Sequence, residues 1–103
     1  MTQEINKEKF NSFIKEGLVL IDFYADWCGP CVVMGPIVDE VAEKFDGKIK
    51  FGKVDIDDNI ELARKYETRS IPNFILFKDG EIAENFIGSM SKEEFVKKLK
   101  KHV

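Results

Sequence analysis

Histidine and cysteine are scarce in this chain. His102 is the only histidine, and Cys28 and Cys31 are the only cysteines. A structural zinc site takes about four such ligands, so no metal centre is expected. Long apolar runs are missing too. Leu18–Ile21 and Phe74–Phe77 reach four residues, whereas a membrane helix needs about 20. Met1–Phe10 is polar and shows no apolar core of a signal peptide. Basic residues are not in excess: 16 Lys and Arg stand against 19 Asp and Glu, a net charge of −3. That balance argues against a nucleic-acid surface. No repeat, low-complexity tract or Pro/Gly-rich linker divides the 103 residues. One domain over 1–103 is expected, without membrane or nucleic-acid partners. Two cysteines in such a chain point to a reducing, cytoplasmic setting and to a working pair in place of a structural staple.

What is present is a regular alternation of strand and helix signals. Asn6 is a good N-cap, and Ile5 is placed to staple onto Phe10, with Phe13 and Ile14 on the same face and Gly17 as the stop. Leu18–Ala25 is apolar on both faces. Val19, Ile21 and Phe23 point one way and Leu20, Asp22 and Tyr24 the other, the pattern of a central strand covered on both sides. Val33, Met34, Ile37, Val38, Val41, Ala42 and Phe45 then recur at helical spacing, interrupted by Pro36, with Gly47 as the stop.

Lys48–Ile56 predicts a second buried strand. Asp58, with Glu61 three residues on, predicts a helix start, and Ile60, Ala63 and Tyr66 its inner face. Asn73–Lys78 and Glu81–Ile87 are strands joined by Asp79-Gly80, a two-residue hairpin signal. Ser91 and Glu94 open a last helix with Phe95, Val96 and Leu99 inward and lysines at its negative end. The order βαβαβαββα implies a mixed sheet with helices on both faces.

The cysteines lie where the first buried strand gives way to a helix. Free backbone N–H groups and the positive end of the helix dipole favour a thiolate there. Cys31 lies within one turn of Cys28, near enough to close a disulfide. Cys28, nearer the helix start and expected to be the more exposed, is the candidate nucleophile. Cys31 is the candidate resolving thiol. Gly29 and Pro30 hold the turn, proline fitting the first turn of a helix. Asp22 is the odd residue of its strand, a carboxylate that loses hydration and should hold its proton more tightly. It either handles the proton of Cys31 or is a structural carboxylate bonded to backbone or Lys53. Lys53 in turn is either an electrostatic partner of Asp22 or a solvated lysine with a buried stem.

Trp-Cys-Gly-Pro-Cys at 27–31 resembles the thioredoxin family motif. The resemblance extends over the whole chain, through Asp22, Pro36, Lys53, Ile71-Pro72 and Gly88. It implies a central five-stranded mixed sheet flanked by four helices, with the motif opening the second helix. It implies a protein disulfide reductase without a cofactor, working as a monomer on client proteins and recycled by a thioredoxin reductase. Pro72 falls where the family carries a cis proline facing the cysteines, leaving the Ile71 backbone free to pair with a substrate strand. Trp27, Ile71, Ile87 and Gly88 would complete a flat apolar docking patch. Tyr24, Val32 and Asn73 depart from the family's frequent Trp, Lys and Thr. A partner-binding subunit on the same fold, or a disulfide oxidase or isomerase, are the alternative readings.

Overall fold

The computed structural model describes residues 2–103. Its elements are β1 (Thr2–Glu4), α1 (Lys7–Ile14), β2 (Leu18–Tyr24), α2 (Gly29–Lys44), β3 (Ile49–Asp55), α3 (Ile60–Lys65), β4 (Asn73–Lys78), β5 (Glu81–Ile87) and α4 (Lys92–Lys100). The strands form one five-stranded sheet in the order β1-β3-β2-β4-β5. β1 and β2 both run parallel to β3. β4 runs antiparallel to β2, and β5 antiparallel to β4. One edge of β3 is taken by β1 and the other by β2, so the chain leaving α3 adds β4 to the free edge of β2 instead of completing a parallel crossover.

Alternation along β2 builds the two cores. Leu20 faces a cluster with Met34, Val38, Val41 and Ala42 of α2 and Phe95 and Leu99 of α4. Val19, Ile21 and Phe23 face a second cluster with Phe10 and Ile14 of α1 and Leu62 of α3. Successive strand residues point to opposite faces, which is why β2 reads as unbroken apolar sequence save for Asp22. Phenylalanine dominates both cores. Phe74, Phe86 and Phe95 pack with ring centroids 5.0–5.6 Å apart. Phe10, Phe23, Tyr66 and Phe77 form a ring cluster on the other face.

Caps and turns follow the expected chemistry at most junctions. Asn6 Oδ1 accepts from the Lys9 amide at 3.1 Å and Ser91 Oγ from the Glu94 amide at 3.1 Å. Asp79 and Gly80 take φ of 51° and 87°, the double positive φ that a tight hairpin turn demands. Helix α2 runs on through Pro36.

Three expectations fail locally. Asn59, not Asp58, is the N-cap of α3, and its side chain makes no cap bond. It instead accepts from the Lys7 amide and donates to the Asp55 carbonyl, tying α1 to the end of β3. Ile60 is exposed and Leu62 is the buried residue of α3. The helix is six residues long, too short for a periodic face to be read reliably from sequence. Val33 is 63% exposed, because α2 turns that side away from the sheet while Met34, Val38 and Val41 fill the core.

A candidate active site at the start of the second helix

Cys28 is the N-cap residue of α2, with φ −88° and ψ 112°, and Gly29 and Pro30 form the first turn. Proline costs nothing there because its absent N–H would have had no helical partner. The Cys31 amide donates to Cys28 Sγ at 3.2 Å. The sulfur thus stands where a capping oxygen stands in other helices, at the positive end of the helix. Cys28 and Cys31 are paired as a disulfide, with Cα atoms 5.2 Å apart. In this oxidised form neither is the more open: Cys28 is 5% exposed and Cys31 7%. The expected difference in exposure is therefore absent. What separates the two sulfurs is their surroundings, the helix cap and a loop carbonyl for Cys28 and an acidic cleft for Cys31.

The loop before β4 closes over Cys28. The Ile71–Pro72 peptide bond is cis. The Ile71 carbonyl oxygen lies 3.7 Å from Cys28 Sγ, and the Ile71 side chain packs on the cluster of Ala25, Cys28 and Cys31. The Gly88 amide donates to the Pro72 carbonyl at 2.8 Å, so the residues around positions 71 and 88 form one continuous rim. Gly88 has φ of +95°, a conformation that disfavours a side chain. Trp27 and Ile87 are exposed, at 70% and 57%. Ile87 is thus a surface residue of β5, not core.

On the other side of α2, a cleft of about 190 Å³ is lined by Asp22, Tyr24, Ala25, Asp26, Cys31, Val32, Gly35 and Lys53. Asp22 is 6% exposed, and its Oδ1 has no hydrogen-bond partner. A buried carboxylate in that state is costly when charged. Burial accordingly pushes its pKa up to about 7, with Lys53 pulling it down and Asp39 and Glu4 pushing it further up. The alternative of an Asp22 side chain bonded to Lys53 is not what is found. Lys53 is its register neighbour on β3, yet the ammonium lies 3.9 Å from Glu4 instead. Lys53 is thus a half-exposed lysine in contact with Glu4, and its charge pulls the Asp22 pKa down.

Comparison with known proteins decides the family. The Thioredoxin family model matches residues 1–101. The chain belongs to the thioredoxin family. It is 42% identical to thioredoxin of Staphylococcus epidermidis over 100 residues, covering 97% of this chain and 96% of that one. The thioredoxins of Staphylococcus haemolyticus and Staphylococcus aureus are 40% and 39% identical with the same coverage. A thioredoxin-family chain with its two cysteines paired is a thiol–disulfide oxidoreductase, and protein disulfide reduction is the activity that fits. A purely partner-binding role is not favoured. Among the described residues no helix is long and apolar enough to cross a membrane.

Two participants escaped the sequence reading. Asp57 accepts the Trp27 indole N–H at 2.8 Å, and Glu4 accepts the Tyr24 hydroxyl at 2.8 Å. Both lie far from their partners in sequence, and no local pattern points to them.

Proposed function

We propose that this thioredoxin-family chain, acting as a single domain over 1–103, reduces disulfides of client proteins through Cys28. In the dithiol form the Cys28 thiolate attacks one client sulfur. The client's other sulfur leaves as a thiolate, and a Cys28–client mixed disulfide forms. Cys31, once deprotonated, attacks Cys28 Sγ. The second client sulfur leaves and takes up a proton, and the Cys28–Cys31 bond closes. Two electrons have passed to the client, and a thioredoxin reductase of the cytoplasm supplies two more to reopen the Cys28–Cys31 bond. Client and reductase meet a monomer whose rim is Trp27, Gly29, Pro30, Ile71, Pro72 and Gly88.

The single observation that supports this direction is the shared environment of Cys31 and Asp22. Both line one cleft, which is large enough for several waters at about 30 Å³ each. Asp22, with a pKa pushed up to about 7, is matched to accepting and returning a proton near neutrality. Lys53 tempers that value from the neighbouring strand. The backbone of Ile71, beside Cys28, is positioned to pair with an extended client segment.

The test is trapping with Cys31→Ser. Mixed disulfides between Cys28 and a range of proteins are expected, and none should form with Cys28→Ser. Absence of any covalent adduct would overturn the assignment. The reduction potential separates reductase from oxidase. A value near the roughly −270 mV typical of thioredoxins is expected, as against about −120 mV for a strong oxidant.

A further inference from the structure

We propose that Glu4, on the edge strand β1, is a positioning residue for the proton-handling cleft, holding Lys53 and Tyr24 in place beside Asp22. The inference deepens the reading of Asp22 given above and rests on it.

The sheet register sets up the arrangement. Glu4 is paired with Lys53 across β1 and β3, and Lys53 with Asp22 across β3 and β2. The three residues form one row across the sheet, with a lysine between two carboxylates. Lys53 Nζ is 3.9 Å from Glu4 Oε1 and 5.3 Å from the centre of the Tyr24 ring. The Tyr24 hydroxyl donates to the Glu4 carboxylate, 2.8 Å from Oε1 and 2.9 Å from Oε2. Tyr24 lies two residues beyond Asp22 on β2 and so on the same face of the sheet. Tyr24 and Lys53 line the cleft that holds Asp22 and Cys31, whereas Glu4 does not. Glu4 therefore acts through the two side chains it holds.

The consequence is electrostatic. Lys53 is shared between an outer carboxylate that it contacts and an inner one that has an unpartnered oxygen. Burial is the main reason Asp22 keeps its proton into the neutral range; Lys53 opposes it, and the Glu4 carboxylate adds to it. A Glu4 that engages the ammonium thus weakens the charge that compensates Asp22. The charged and titratable groups around Asp22 are Lys53 from β3, Glu4 from β1, Asp39 and Cys31 from α2, and Tyr24 and Asp26 from its own strand and the loop that follows. β4 supplies the apolar Phe74 opposite. The contacts of Glu4 with Lys53 and with Tyr24 can be altered without touching the sulfurs.

The experiment follows the Asp22 carboxyl carbon by NMR against pH in the oxidised full chain. Glu4→Gln is expected to lower the Asp22 midpoint by on the order of half a pH unit, the scale of a partly screened charge. Tyr24→Phe keeps every charge but frees Glu4 to close on Lys53, and is expected to raise the midpoint. Glu61→Gln removes one carboxylate from α3 and is expected to leave it unmoved. An unchanged midpoint in Glu4→Gln overturns the proposal. So does an unmoved midpoint in Tyr24→Phe, since net charge and not the tether would then set the value. A lowered one overturns it too, since Glu4 would then not have closed on Lys53. The rate of mixed-disulfide resolution is measured alongside. A midpoint that moves without any movement in the pH profile of that rate supports the positioning role of Glu4 and overturns the proton-transfer role of Asp22.

Discussion

The indole N–H of Trp27 is held by Oδ2 of Asp57 at 2.8 Å, while 70% of the tryptophan remains open to solvent. A large apolar ring fixed by its polar end and left uncovered is a presented surface, not a core residue that failed to find its place. Asp57 sits just beyond β3, and its amide donates to Asp55 Oδ1 at 2.9 Å, so the carboxylate that orients Trp27 is itself oriented.

Trp27→Ala should therefore separate docking from folding. Unfolding free energy should change by no more than about 0.5 kcal/mol, as for a surface residue. The kcat/KM for a protein client should fall by roughly tenfold, the scale of losing one apolar contact, with a small disulfide reduced almost as before. A large loss of stability with equal losses for both substrates would place the ring in the core instead.

Asp22 carries a pH-dependent stability cost. Its pKa is about 7 in the folded chain against an ordinary value of 3.8. The folded state binds the extra proton, so stability falls as pH rises from about 4 to 7 and the penalty is complete above 7. Asp22→Asn removes that penalty. At pH 8 the variant should be the more stable by on the order of 4 kcal/mol, at 1.36 kcal/mol per decade, and the two proteins should converge near pH 4. Its reductase turnover should fall and lose its pH dependence near neutrality. Denaturation curves of both proteins across that range check the sign. Parallel curves would show that Asp22 does not titrate as described.

Gly52 in β3 admits no side chain. A Cβ there would lie 2.7 Å from Phe13 Cε2, 2.9 Å from Ile5 Cγ1 and 3.2 Å from Ile21 Cδ1. Gly52→Ala overpacks the joint between α1 and the sheet and should cost about 1–3 kcal/mol. The reduction potential should not move, since these neighbours lie in the α1/α3 core. Chemical denaturation and redox equilibration with glutathione give the two readouts.

Phe95 anchors α4 against Phe74 and Phe86 and is fully buried. Phe95→Ala should cost about 3–5 kcal/mol. Ser91→Ala, which removes only the cap of the same helix, should cost about 1 kcal/mol. A smaller loss for Phe95→Ala than for Ser91→Ala, measured in urea, would mean that α4 is held by its ends and not by its core face.

Much of the fold was legible because short-range chemistry dictated it. The alternation in Leu18–Tyr24 identified a strand covered on both faces, and Asp79-Gly80 identified a hairpin. Ser91 and Asn6 identified helix starts, each through a bond to a backbone amide three residues away. Short-range reading failed where a side chain had a better partner elsewhere. Asn59 spends its amide on Lys7 and Asp55, and Asp58 caps nothing. It failed again in α3, where one buried residue, Leu62, carries the contact and the apolar Ile60 faces solvent.

At the site, sequence determined the pair of sulfurs, the strand-to-helix junction that exposes them to the helix dipole, and the lone carboxylate in an apolar strand. These are consequences of residues within one turn or one strand of each other. Tertiary structure decided which groups face each sulfur: the Ile71 carbonyl beside Cys28, the Asp22 cleft beside Cys31, and the row of Glu4, Lys53 and Asp22 across three strands. The register of β1, β3 and β2 creates that row, and register depends on how whole faces of the sheet are buried.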